Sequence, residues 1–307
     1  MSVAGAAKVL SAYIRPTRLV ASHVAPDLFL KLESELPTGS FKVRGALYAL
    51  AVNKDRRRVE AVVTSSTGNH GAAVAYAAKT FGVPATVFLP RNPNPVKAQK
   101  IVDLGAQITE VNGDFAEARE TAARHAQQTG AYLMDDATDA DIPVGAATMA
   151  LEIVADLPDV RTIIVPVGDS ALIRAVAGAS KERRPGIRIV GVQAEHAPSY
   201  YLSWQKGSVV LTDTADTIAD GLATRVPVAA NVTAVRRLVD DMVLVSDDSM
   251  MRAISRLLYD DHVVAEPSGA AALAAYLELA QKPSGRTVVI VSGGNVPAGI
   301  LREAARP

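Results

Sequence analysis

The sequence predicts an α/β protein of open, mostly parallel sheets flanked by helices. Three observations predict it. Short β-branched runs alternate with Ala-rich stretches of helical period, the pattern of successive βα units. Runs such as Ile163-Ile164-Val165 are apolar at every position, as strands covered on both faces must be. Of 307 residues, 49% are hydrophobic and 21% charged, which is enough apolar material for a sizeable core. At about 150 residues per domain, this length suggests two compact units.

The elements follow in order. Residues 61–64 read as a strand and 69–81 as a helix ended by Gly82. Residues 83–89 are a strand, and 95–104 a helix stopped by Gly105. A strand at 108–111 leads to a polar-faced helix at 114–128, then to a short strand at 132–134. Helix 143–155 precedes the buried strand 161–167, and helix 169–181 follows it. Two more strands lie at 187–193 and 287–291. The expected domains are 49–141, and 1–48 together with 142–307.

Composition excludes several classes. Lys plus Arg and Asp plus Glu are both 32, so no net charge draws the chain to nucleic acid, and no basic stripe is present. Arg56-Arg57-Arg58 reads as a solvated loop after a helix. Cysteine is absent, which excludes disulfides, cysteine nucleophiles and thiolate metal sites. The five histidines show no zinc spacing, and no metal is expected. No stretch of about 18 apolar residues could span a bilayer, so no membrane association is expected. Residues 1–8 lack a basic stretch ahead of an apolar run, so a cytoplasmic location is expected.

Open α/β sheets bind ligands beyond the carboxyl ends of their strands. Four segments carry residues suited to that. In Pro37-Thr38-Gly39-Ser40-Phe41-Lys42-Val43-Arg44-Gly45-Ala46, Lys42 is either a solvated cation or an amine that Phe41 shields from water, fit to act as nucleophile or base. Ser65-Ser66-Thr67-Gly68-Asn69-His70-Gly71 opens a helix directly after a strand. It suits an anion at the helix N-terminus, or an ordinary capped turn. Val167-Gly168-Asp169-Ser170-Ala171-Leu172 repeats the strand–turn–helix pattern, with Asp169 or Ser170 as N-cap. Ser292-Gly293-Gly294-Asn295 follows the last strand. Its Gly pair permits close backbone approach to a ligand, or serves a turn that needs positive φ.

In this order and spacing the four segments resemble the fold type II pyridoxal-phosphate enzymes, which share the tryptophan synthase β-like fold. Among these the chain is most similar to the threonine/serine dehydratases and serine racemase. The likeness runs from about Thr17 to Val296, and Ala219-Asp220-Gly221 and Glu266-Pro267-Ser268-Gly269-Ala270 match lesser family segments.

The resemblance implies the roles that follow. Lys42, next to Phe41, carries pyridoxal 5'-phosphate (PLP) covalently and, once freed, takes the Cα proton of an amino-acid substrate. Ser66, Thr67, Gly68, Asn69 and His70 hold the substrate carboxylate, and Asn69 also meets the ring hydroxyl. Gly168, Asp169, Ser170, Ala171 and Leu172 form the phosphate loop. Gly221 lines the ring, and Ser292 faces the ring nitrogen as a neutral partner. The implied activity is a lyase that removes water from a 3-hydroxy amino acid, giving a 2-oxo acid and ammonia; the alternatives are a serine-type racemase and an inactive amino-acid-binding relative. A homodimer is the family expectation. The chain ends soon after Asn295, which leaves no room for a C-terminal regulatory domain and favours a degradative-type enzyme.

The sequence departs from the family pattern at three places. Thr67 stands where the racemases carry Ser, which argues against efficient racemisation. Asp169 puts a carboxylate in a loop that is otherwise a run of glycines. It either caps its own helix, raises the pKa of the phosphate, or prevents cofactor binding. Glu195 matches one ligand of a cation site found in some relatives, but the second carboxylate is replaced near Tyr200 and Tyr201.

Overall fold

The computed structural model describes residues 2–66, 68–93, 95–113 and 115–306. The expectations placed on Thr67 and Asp114 lie outside the described residues. Ten strands occur in chain order: β1 (Leu19–Ala21), β2 (Leu28–Leu32), β3 (Val62–Thr64), β4 (Ala85–Pro90), β5 (Gln107–Val111), β6 (Tyr132–Leu133), β7 (Thr162–Pro166), β8 (Arg188–Ala194), β9 (Asp241–Val245) and β10 (Thr287–Val291). The chain divides into two units, Met1–Ile14 with Lys42–Gly145, and Arg15–Phe41 with Ala146–Pro307. No helix among the described residues is long and apolar enough to cross a membrane.

The first unit holds a four-stranded parallel sheet in the order β5-β4-β3-β6. Ala75 and Ala78 of the helix Asn69–Phe81 pack with Val87, Leu89 and Ile101. Val63 and Phe88 pack with Ala122 of the helix Phe115–Thr129. Alternate residues of β4 thus enter two separate clusters, which explains its unbroken apolar run. The helix Asn69–Phe81 has the predicted bounds, because Gly82 adopts φ 64° and donates its N–H to Ala78 and Lys79. Strand β4 starts two residues later than predicted: the Val83 N–H still closes the preceding helix on Ala78, and Pro84 has no N–H to give.

The second unit holds a six-stranded sheet in the order β1-β2-β10-β7-β8-β9, parallel except for β1 against β2. Val289 pairs with both Leu30 and Ile164, so β10 lies centrally between β2 and β7. The helix Pro267–Glu278 is buried along most of its length. Its small Ala side chains let it sit against the Leu, Val and Ile residues of the sheet in one core.

Two predicted helices differ, and three strands were not predicted. The expected helix 143–155 is two, Ile142–Ala146 and Thr148–Asp156. The helix expected from 169 begins at Ala171, since Ser170 at φ 75° cannot belong to its first turn. Strands β1, β2 and β9 escaped the sequence reading. In β2 the apolar run is broken by Lys31, which is fully buried and donates to Glu152 Oε2 at 2.6 Å and to the Thr17 carbonyl at 2.7 Å.

Candidate active site

In the first unit the strand order turns back at β3, whose successor β4 lies on one side and β6 on the other. Such a switch point opens a crevice beyond the strand ends. The residues after β3 are Ser65, Ser66, Gly68, Asn69 and His70; those after β6 are Met134, Asp135 and Asp136. Gly68 caps the helix Asn69–Phe81 and has no side chain to occupy its first amides. A Cβ on Gly71 would run into the Ser66 carbonyl, so that glycine lets the loop fold back onto the helix.

His70 is 3% exposed, and its Nε2 lies 3.0 Å from the Met134 carbonyl oxygen. A carbonyl only accepts, so Nε2 donates. Nδ1 is 3.9 Å from Asp136 Oδ2. That same oxygen accepts from Lys42 Nζ at 2.7 Å. Lys42 opens the helix Lys42–Arg56, and its side chain is 12% exposed. The structure therefore brings Lys42 and His70 together through Asp136, a residue the sequence reading missed. The only signal was its place after the two-residue strand β6.

In the second unit the order turns back at β7 and β10. Gly168 follows β7, and a Cβ there would collide with the Gly221 carbonyl. A Cβ on Gly221 would in turn come 2.7 Å from Ser268 Oγ. Ser292 follows β10, is 5% exposed, and lies with Oγ 3.4 Å from the Ser268 carbonyl. Phe41, half-buried, donates its N–H to the Ser292 carbonyl at 3.0 Å. Ser40 forms a bridge with Gly293, and its fully buried Oγ has no hydrogen-bond partner. Asn295 Nδ2 donates to the Thr38 carbonyl at 2.9 Å. The segments around residues 40, 168, 221, 268 and 292 thus interlock at one end of the sheet.

Asp169 Oδ1 accepts the Ala171 N–H at 2.6 Å, the capping bond that is one of its three expected outcomes. Ser170 stands at the N-cap position without making the capping bond; its Oγ accepts instead from Arg174 Nε at 3.2 Å. Burial holds the Arg174 guanidinium below its usual range, against Asp169 and Tyr200, which pull it up. Ala171 and Leu172 are buried. Tyr200 is buried as well, with its hydroxyl donating to the Asp169 carbonyl at 3.2 Å. Glu195 is exposed, and among the described residues no group of three or more His, Cys, Asp or Glu could hold a metal ion.

The first unit carries the Lys42 amine at its switch point, and the second carries close-packed glycines and the buried Ser292 hydroxyl at its own. The family model described as pyridoxal-phosphate dependent enzyme matches residues 10–294. The chain belongs to that family. The enzyme is 36% identical over 301 residues to an L-threonine ammonia-lyase of Thermotoga maritima, covering 96% of this chain and 75% of the relative. It is 35% identical over 310 residues to a serine racemase of Oryza sativa subsp. indica, covering 96% and 90%. Maize serine racemase has the same fold, with a TM-score of 0.92, 32% identity and coverage of 98% and 95%.

The residues present fit PLP. Lys42 carries an amine of the kind that could bond the cofactor aldehyde. Gly168 lets the loop after β7 close against Gly221, whose carbonyl any Cβ would strike. The backbone at Ser170 and Ala171 opens a helix, where a phosphate is stabilised.

Proposed function

We propose that the enzyme is a PLP-dependent lyase that removes water from a 3-hydroxy amino acid of the threonine or serine type, giving a 2-oxo acid and ammonia. The observation that carries this reading is Lys42, held at the β3/β6 switch point beside the Asn69–His70 loop, in a chain so similar to threonine ammonia-lyases. When bound, PLP supplies an electron-accepting ring conjugated to the substrate nitrogen.

Everything else falls to the chain's own residues. Lys42 Nζ would receive the proton from Cα and give a proton back to the hydroxyl, which leaves Cβ as water; the enamine left behind then takes up water and loses ammonia to give the 2-oxo acid. Ser66, Gly68, Asn69 and His70, together with Thr67, would hold the substrate carboxylate by backbone and side-chain donors. That fixes which Cα bond can break. Gly168, Asp169, Ser170, Ala171 and Leu172 would hold the phosphate group, with Gly221 along the ring and Ser292 at its nitrogen. A serine hydroxyl stays neutral there, which suits rapid loss of a β-substituent better than a long-lived carbanion.

Serine racemisation is the second reading, favoured by the rice and maize relatives. Thr67 weighs against it, since its methyl and stiff χ1 restrict a hydroxyl that must move a proton. The absence of cysteine supports a cytoplasmic enzyme, and the family likeness supports a homodimer.

The test is a visible absorption spectrum with and without added PLP, run beside Lys42→Ala, followed by an oxo-acid assay with L-threonine and L-serine. A band in the wild type that the variant lacks, and oxo acid formed faster than the serine enantiomers interconvert, is the expected result. Interconversion that outruns elimination would make the enzyme a racemase.

A further inference from the structure

We infer that Asp136 is the positioning residue of Lys42: its carboxylate holds the lysine amine in place and keeps it charged until the cofactor arrives. The inference rests on Lys42 being the cofactor lysine, and it assigns a role to a residue outside every segment that carries the family likeness.

The geometry points to it in three ways. Lys42 Nζ donates to Asp136 Oδ2 at 2.7 Å, the length of a charge-assisted hydrogen bond. The two side chains are 12% and 27% exposed, so water screens the pair less than it would a surface pair. His70, the other neighbour of Oδ2, has its Nε2 committed to the Met134 carbonyl. Its buried Nδ1 lies 3.9 Å from Oδ2, beyond hydrogen-bond length, and makes no hydrogen bond among the described residues.

The other charged groups of this segment are engaged elsewhere. Asp135 binds Arg119 at 2.7 Å, Asp139 binds the Tyr132 hydroxyl, and Asp141 binds Arg56 at 2.8 Å.

A lysine attacks an aldehyde only as the neutral amine. A carboxylate that favours the ammonium form therefore makes the lysine well aimed but slow to react at neutral pH, and couples cofactor loading to pH.

The experiment measures Lys42 directly in the full chain freed of cofactor. Acetylation by acetic anhydride is followed across pH by mass spectrometry of the Lys42 peptide, in wild type, Asp136→Asn and Asp136→Glu. Asp136→Asn is expected to acetylate about threefold faster at neutral pH, the scale of one partly screened ion pair. Its rate–pH curve should move toward lower pH, and Asp136→Glu should restore the wild-type curve. An Asp136→Asn curve that superimposes on wild type overturns the inference. Asp136→Ser replaces Asp136→Asn if circular dichroism shows that the latter is unfolded. Uptake of added PLP, read by visible absorption, separates the two readings. Displaced acetylation curves with no PLP uptake in wild type would support the role of Asp136 and defeat the cofactor assignment.

Discussion

Asp169 places a negative charge beside the amides that a phosphate would use. The structure shows how the charge is accommodated: the carboxylate binds the Ala171 N–H, the Tyr200 hydroxyl binds the backbone carbonyl, and Arg174 is tied to the neighbouring Ser170. Occupying the Ala171 N–H stabilises the helix but leaves one donor fewer for an incoming anion. Asp169→Gly should therefore have two opposite effects. PLP should bind about fivefold tighter, because a like-charge contact of about 1 kcal/mol is removed. The cofactor-free protein should lose a few tenths of a kcal/mol with its cap, since Gly is itself tolerated at a helix start. Spectral titration measures the first effect and denaturant unfolding the second. Unchanged PLP affinity would mean that the carboxylate does not oppose the phosphate.

At the scale of elements, two polar groups tie secondary structure together. Lys31 on β2 is fully buried and bonded to Glu152 of the helix Thr148–Asp156. Glu152→Ala would leave that buried ammonium bonded to the Thr17 carbonyl without its carboxylate, and should cost about 3 kcal/mol in denaturant unfolding. Tyr132 on β6 is the second. Burial, with Asp139 and Asp141 nearby, pushes its phenol above the ordinary value near 10, and Arg57 over the ring only partly offsets this. A phenol with a raised value binds its proton more tightly folded than unfolded. Its contribution is therefore present below about pH 10 and is lost as pH rises beyond it, with a slope of at most ~1.4 kcal/mol per pH unit. Tyr132→Phe should flatten that alkaline loss, as read by urea unfolding between pH 9 and 11.

At the scale of the whole molecule, ligand linkage gives the prediction. A cofactor that binds only the folded protein stabilises it by about 2.7 kcal/mol at one hundred times its dissociation constant. The thermal midpoint of the wild type should rise with PLP concentration, and in Lys42→Ala it should rise far less.

Much of this was legible in the sequence, for identifiable reasons. Gly82 and Gly105 stop helices through positive φ, a local property of the residue, so those ends were readable. β7 and β10 are apolar throughout because both their faces are covered, so they stood out. β2 did not, because a lysine whose partner lies 121 residues away interrupts it. The lysine, glycine and serine segments were visible because their chemistry needs contiguous residues.

By itself, then, the sequence determined the fold class, the family and the segments fit to bind a cofactor, since each of these is written in local pattern. Tertiary structure alone decided two things. It set which strand lies central in each sheet, and it brought Asp136 to Lys42 across 94 residues of chain. Each depends on strand order, which brings distant loops to a shared switch point, and no local pattern encodes that order.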